Sequence, residues 1–253
     1  SLASFDGKHF KVNNKLISTI GLRRYKTKSG GHYFSKRLVE MLGPRRAGNL
    51  LEDPYVHYAA AIQKLYEDIV AGLVSYYLKD ILEDTGKLAV AGTGAMNIRL
   101  NQRLKALPFV KELIVHPACG DPGTAIGAAA HAVRRLGLTL EPVSDMYLGP
   151  SYNNDQCIEA CIMHREKPQW ELLQDPHKKA AQLLGNGQVI AWFRGRMEFG
   201  PRALGGRSIL GDPRSLSMQR DLNLKVKYRE SFRPFAPSVL AEYVNDWFEM
   251  SGE

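Results

Sequence analysis

LAVAGTGAMNIRLNQRLKAL, residues 88–107, and LIVHPACGDPGTAIGAAAHAVRRLG, residues 113–137, share one pattern. Each opens on a short run of the kind that forms a buried strand, LAVAG at 88–92, which is wholly apolar, and LIVHP at 113–117. Each then passes through a glycine-containing turn into a helix-forming stretch. Two strand–turn–helix units in succession predict an α/β sheet whose ligands lie at the C-terminal ends of the strands.

Upstream, Asp53-Pro54 is expected to start a helix, with Asp as N-cap and Pro at the first helical position. Apolar residues recur at Ile62, Leu65, Ile69, Leu73 and Tyr77, a core-facing stripe running toward Gly86. Before it, HFKVNNKLIS suggests a short β element and GLRRYKTKSGGHYF a loop or hairpin. Downstream, LTLEPVSDMYLGPSYNND at 138–155 is rich in Pro, Gly, Ser and Asn and marks a boundary. The expected division is a first domain over 1–140, a linker over 141–155 and a second domain over 156–253. The second domain is expected to hold a helix at about 156–164, another from Asp175-Pro176 to near Gly185, and a buried strand at QVIAWF, 188–193.

At 253 residues and 44% hydrophobic, the chain is long enough to bury one large core or two smaller ones. No apolar run approaches the ~18 residues of a membrane span. SLASFDGKHFKV has no basic start leading into an apolar stretch, so no secretory signal is read there. It also lacks an initiator Met, which suggests that an upstream part has been removed. Cys119, Cys157 and Cys161 make an odd, low count that argues against a disulfide framework and fits a reducing cytoplasm. Cys157, Cys161 and His164 would share one helix face. A metal reading lacks a fourth ligand, and the plainer reading is the buried face of a short helix.

The charge is concentrated. Residues 194–233 hold ten Lys/Arg against four Asp/Glu, in a chain of formal net charge +8. Gly200-Pro201, Gly205-Gly206 and Asp212-Pro213 break this segment into turns, so Arg202, Arg207, Arg214, Lys227, Arg229 and Arg233 can converge from several directions. Guanidinium groups grip carboxylates and phosphates through paired, planar hydrogen bonds. Several of them around an acyl phosphate would also stabilise transition-state charge. Two alternatives stay open, an internally paired structural cluster and a nucleic-acid-binding face. Phe199, Phe232 and Phe235 stand beside prolines, as in a folded core rather than an exposed nucleic-acid surface.

In the first domain, AGTGAMN at 91–97 offers glycine backbone that phosphates or a ribose can approach closely. Asn97 either reaches a ligand hydroxyl or caps the next helix. Asp121, between Gly120 and Pro122, either caps the following helix or presents a carboxylate to a metal ion or an amine. His116 and His131 read as structural.

GRMEFGPRALGGRSILGDPR (195–214) and KVKYRESFRPFAPSVL (225–240) closely resemble the signature of the O-carbamoyltransferase family, the group of nodulation protein U and the antibiotic carbamoyltransferases. AGTGAMNIRLN and HPACGDPGTAIGAAA resemble the same family's turns, and the resemblance runs from about residue 40 to the end. It implies part of an actin-like, sugar-kinase-like (ASKHA) domain followed by part of a YrdC-like α/β carbamoyltransferase domain. The implied reaction takes a carbamoyl group from carbamoyl phosphate, through a carbamoyl-adenylate made with ATP, to a hydroxyl of a small-molecule acceptor. Arg202, Lys227 and Arg233 would hold the carbamoyl phosphate with Arg207 and Arg229 in support, and Gly92, Thr93 and Asn97 would contact the nucleotide. Asp121 would be one ligand of an iron-type divalent metal, whose other ligands are an HxxxH pair absent from this chain. The chain is accordingly expected to be an internal fragment of a longer cytoplasmic enzyme, without complete catalysis of its own. Its uncovered apolar surface would drive self-association into a homo-oligomer. A different class of reading is a basic α/β module that binds RNA; no membrane partner is expected.

Overall fold

The computed structural model describes residues 2–17, 25–27, 30–32, 34–44, 52–141 and 143–249. The chain is mixed α/β and forms two compact units, Ser1–Ser144 and Asp145–Glu253.

The first unit begins with two short antiparallel pairs, β1 (Ala3–Phe5) with β2 (Phe10–Val12) and β3 (Tyr25–Thr27) with β4 (Gly30–His32). The hairpin expected within 21–34 thus has its two strands, while residues 21–24, 28, 29 and 33 of that stretch lie outside the described residues. Helix α1 (Lys36–Leu42) is capped by Ser35, whose Oγ accepts from the Leu38 N–H at 3.3 Å.

Helix α2 (Tyr55–Tyr77) starts with Pro54 in the cap position and no side-chain cap. Asp53 contacts His57 Nε2 at 2.9 Å instead, which corrects the expected N-cap. The expected stripe is also rotated. Ile62 is 52% exposed and Tyr77 53%, whereas Ala71 and Val74 are buried, with Tyr66 and Val70 packed beside them. The reason lies in the small residues. Ala71 lets the core approach closely, and Gly72 has no room for a Cβ because the Phe5 ring lies against it. The helix breaks at Leu78, and α3 (Lys79–Thr85) ends on Gly86 in the left-handed conformation, φ +68°.

The strand–turn–helix reading is borne out as a parallel pair. Strand β5 (Lys87–Val90) pairs with β6 (Glu112–Val115), Leu88 opposite Leu113 and Val90 opposite Val115. Helix α4 (Ile98–Lys105) makes the crossover, and α5 (Gly123–Arg135) follows β6. Leu82, Leu88, Leu100, Leu104 and Val110 join Ala71 and Val74 in one core that holds the ribbon against α2 and α4. Full burial of a leucine of this kind contributes about 1.5–3 kcal/mol. Only one face of the ribbon is covered: Leu88 is buried while Ala89 is exposed and Ile114 is 45% exposed. The strands are therefore half-buried, not wholly buried as their composition predicts. No described helix is long and apolar enough to cross a membrane.

In the second unit, α6 (Asn154–Met163) carries a full capping box, Asn153 Oδ1 accepting from the Gln156 N–H while Gln156 Oε1 accepts from the Asn153 N–H. Helix α7 (Pro176–Gly185) starts as predicted, with Asp175 Oδ1 accepting from the Lys178 N–H at 2.9 Å. Strands β7 (Ile190–Phe193) and β8 (Arg207–Leu210) form an antiparallel hairpin in which Phe193 stands opposite Arg207. Phe193 is 55% exposed, so this strand too is covered on one side only. Helix α8 (Met218–Asp221) runs into a π turn at Leu222–Val226, and α9 (Val244–Trp247) closes the described chain. Leu148–Pro150, within the stretch expected to be a linker, runs beside the hairpin loop: the Gly149 N–H donates to the Met197 carbonyl and the Met197 N–H to the Pro150 carbonyl. Cys157 is exposed, which corrects the expectation that it lies on a buried helix face.

Candidate functional site

Two clusters of expected site residues have defined geometry, one in each unit. In the first, the turns that follow β5 and β6 lie side by side at the C-terminal edge of the ribbon. The Gly92 N–H donates to the Cys119 carbonyl at 2.7 Å and ties them together. Gly92 has φ +94°, a conformation that glycine adopts without strain. Thr93–Met96 then forms a 3₁₀ turn in which Thr93 is exposed. A Cβ on Gly120 would stand 3.8 Å from Thr93 Oγ1, so the two turns are in near contact.

Asn97 is engaged behind this turn. Its Oδ1 accepts from the Leu100 N–H at 3.1 Å and caps α4, while its amide exchanges hydrogen bonds with Gln63 at 2.9 and 3.1 Å. Of its two open readings, the structure displays the cap. Asp121 behaves otherwise. Helix α5 begins with Pro122 in the cap position and no side-chain cap, so Asp121 does not cap it. Its carbonyl accepts from Thr124, and its exposed carboxylate makes no hydrogen bond among the described residues. No group of three His, Cys, Asp or Glu side chains gathers among the described residues in a way that could hold a metal ion. Asp121 alone therefore does not make a metal centre.

The second cluster is the basic segment, and most of its cations have partners inside the chain. Arg207 lies on a buried carboxylate that sequence reasoning missed. Glu198 Oε2 accepts from Arg207 Nε at 2.7 Å, and Oε1 accepts from the amides of Leu204, Gly206 and Arg207 at 2.8, 2.7 and 3.0 Å. Burial pushes the Glu198 carboxyl up, but the Arg207 guanidinium and the Leu204 and Gly206 amides outweigh it and hold it at about 2. Arg214 makes a forked contact with Asp212, whose carboxyl that guanidinium lowers to about 2. Arg194 meets His177, and Arg196 donates to the Leu148 and Gly149 carbonyls.

A second unforeseen residue organises the next turn. Asn223 is completely buried. Its Oδ1 accepts from Arg229 Nε at 2.6 Å, and its Nδ2 donates to the Ser231 and Arg233 carbonyls at 3.0 and 2.8 Å. Arg229 also stacks over the Phe235 ring at 4.9 Å. Arg233 uses Nε on Glu230. Phe232 is 48% exposed, so the expectation that it sits in a folded core fails. Asn223 thus ties Arg229 and the Arg233 backbone into one turn, and Glu198 ties Arg207 to the two ends of the loop that carries Arg202. A Cβ on Gly211 would come within 2.8 Å of Met218 Sδ, so the C-terminal end of β8 packs on α8. No hydrogen bond or ion pair among the described residues joins the two groups.

Arg202 and Lys227 are exposed, and among the described residues their side chains make no hydrogen bond or ion pair. Both recessed organisers left a trace in the sequence. Glu198 is the sole acid between residues 194 and 211, and Asn223 interrupts the apolar pair Leu222 and Leu224.

The family model described as Carbamoyltransferase N-terminus matches residues 8–130, and that described as Carbamoyltransferase C-terminus matches residues 181–253. The match thus begins well before residue 40, where the recognisable motifs start. An uncharacterised Synechocystis protein is 41% identical over 231 residues, covering 85% of this chain and 36% of its own length. Nodulation protein NolNO of Sinorhizobium fredii is 35% identical, covering 95% of this chain and 35% of its own length. Nodulation protein NolO of Bradyrhizobium diazoefficiens is 37% identical, covering 84% and 39%. The chain spans about a third of the length of the curated relatives it matches.

Proposed function

This chain belongs to the carbamoyltransferase family, and from that premise we propose that it is the part of an O-carbamoyltransferase that receives the carbamoyl donor. The donor is carbamoyl phosphate. Water cleaves it to carbamate and inorganic phosphate, the carbamate oxygen attacks the α-phosphorus of ATP and expels pyrophosphate to give a carbamoyl-adenylate, and a hydroxyl of a small-molecule acceptor then attacks the carbamoyl carbon as AMP leaves. In this reading the second unit is YrdC-like and makes the adenylate, while the first is a piece of an actin-like domain that serves the transfer.

One observation carries the reading. Of the ten basic residues in 194–233, Arg202 and Lys227 are exposed and have no partner among the described residues. An oxyanion is the partner that an exposed, unpaired guanidinium or ammonium lacks. Arg233 completes the donor site, and Arg207 and Arg229, held by Glu198 and Asn223, stiffen the two turns and add positive field. In the first unit, the bare Cα of Gly92 and the hydroxyl of Thr93 face the nucleotide, and Asn97 supports them as the cap of α4. ATP supplies the leaving group, AMP. The basic segment is folded into internal pairs and is not displayed along an exposed helix, so the RNA reading gains no support.

The test is calorimetric titration with carbamoyl phosphate and, separately, pyrophosphate at fixed moderate salt. Binding that disappears in Arg202→Ala and in Lys227→Ala is the expected result. Silence toward both anions, with steeply salt-dependent binding of RNA, overturns the reading.

A further inference from the structure

Arg202 stands on a short loop between two residues fastened by a single side chain. The Glu198 side chain is 0% exposed. Its Oε1 collects the amides of Leu204, Gly206 and Arg207, so the two ends of the 198–204 loop meet at one oxygen. Its Oε2 accepts from Arg207 Nε, and the Glu198 carbonyl accepts from an Arg207 terminal nitrogen at 2.9 Å. The loop is pinned from outside as well: Tyr147 Oη donates to the Leu204 carbonyl at 2.7 Å, and the Phe199 N–H donates to the Met146 carbonyl at 2.7 Å. Within it, Gly200 takes φ +120° and the ring of Pro201 locks that residue's own φ. Gly206 is bare where a Cβ would come to 3.1 Å from Glu198 Oε1.

An exposed arginine on an unfastened loop must lose backbone and side-chain freedom each time it grips an anion, and that loss is taken from affinity. A loop already closed avoids most of it. We infer that Glu198 is a positioning residue: its carboxylate fastens the loop so that Arg202 is preset for the oxyanion, and it keeps Arg207 on the frame instead of on the ligand. The identity of the oxyanion rests on the reading above, while the fastening does not. A glutamine at 198 keeps an acceptor for the amides but turns an NH₂ toward the Arg207 guanidinium. Donor then faces donor, the guanidinium is expelled, and the neutral oxygen left to the three amides holds them less tightly than the carboxylate did, so the loop loosens.

The experiment compares wild type, E198Q, R202A and the double variant by titration with carbamoyl phosphate and pyrophosphate. In parallel, mass spectrometry follows the rate of tryptic cleavage at the Arg202–Ala203 bond of ligand-free wild type and E198Q, a readout that needs no ligand. R202A should weaken anion binding about tenfold or more, E198Q by a comparable factor, and the double variant no further than R202A alone. Cleavage after Arg202 should quicken about tenfold in E198Q while cleavage after Arg134, in the other unit, stays as it was. Should E198Q fail to fold, G206A, which crowds the same carboxylate, should give both effects in smaller measure. Unchanged cleavage at Arg202–Ala203, or an E198Q loss that adds in full to that of R202A, overturns the role of Glu198. A wild-type protein that binds neither anion overturns the donor reading instead, and the cleavage rates still decide the fastening.

Discussion

Asn223→Ala is the most informative single change to the second unit, because its cost can be worked from the hydrogen bonds it deletes. The Arg229 Nε bond is charge-assisted and is worth about 1.5–3 kcal/mol, less for a guanidinium that can retreat toward water. The Ser231 carbonyl loses its donor, worth about 1 kcal/mol. The Arg233 carbonyl keeps a second donor, Gln219 Nε2 at 3.2 Å, and so loses less. The total is about 3 kcal/mol, or a hundredfold or so in the folded-to-unfolded ratio. The assay follows from the sequence. All three tryptophans, Trp170, Trp192 and Trp247, lie in the second unit, so indole fluorescence reports on that unit without contribution from the first. Urea titration should move the fluorescence midpoint down with little change in slope. In an Arg229→Ala background the same substitution should cost visibly less, since one of its deleted bonds is already gone. A loss below about 1 kcal/mol, or full additivity with Arg229→Ala, would refute the claim that Asn223 holds this turn.

Glu198 predicts a pH dependence. Its carboxyl sits at about 2 in the folded chain against an ordinary 4.5, so its stabilising contribution is present above pH ~4.5 and is lost as pH falls from there toward ~2. The gap of roughly 2.5 pH units corresponds to about 3 kcal/mol, and the stability difference between wild type and E198Q, read by urea titration at pH 7 and pH 3, should shrink accordingly. Two glycines of one helix should respond in opposite directions: Gly123→Ala drives a Cβ into the Ala118 carbonyl oxygen and should lower the melting temperature, whereas Gly127→Ala meets nothing within 4 Å and should raise stability by about 0.5–1 kcal/mol, both read by thermal melts followed by circular dichroism.

Three of the chain's four Asp-Pro dipeptides show what sequence can and cannot say. Asp53-Pro54, Asp121-Pro122 and Asp175-Pro176 all spell a helix start, and a helix does begin at each. Only Asp175 caps with its side chain; Asp53 turns to His57, and Asp121 is left open. Local composition places the break in the chain, but the rotamer that decides a cap depends on backbone angles and neighbours. The parallel ribbon was legible because apolar runs followed by glycine turns reflect a local constraint. The face that α2 buries was not, because Ala71 and Gly72 add little to a hydropathy stripe yet allow the closest approach. The basic segment was visible as charge, but its pairing was hidden: Arg207 and Arg229 find partners nine and six residues away, and both partners are polar side chains buried where hydropathy predicts none. Arg202 and Lys227 emerge as the cations without partners among the described residues only after those partners are known.

The amide cradle formed by Leu204, Gly206 and Arg207 is the sort of concavity that elsewhere recruits a sulfate or phosphate from the surrounding medium. Here the chain supplies the anion itself, from the near end of the same loop. The shape of that loop is thereby made indifferent to buffer composition: a change of counter-ion reaches the outward guanidinium of Arg202 and leaves its footing alone.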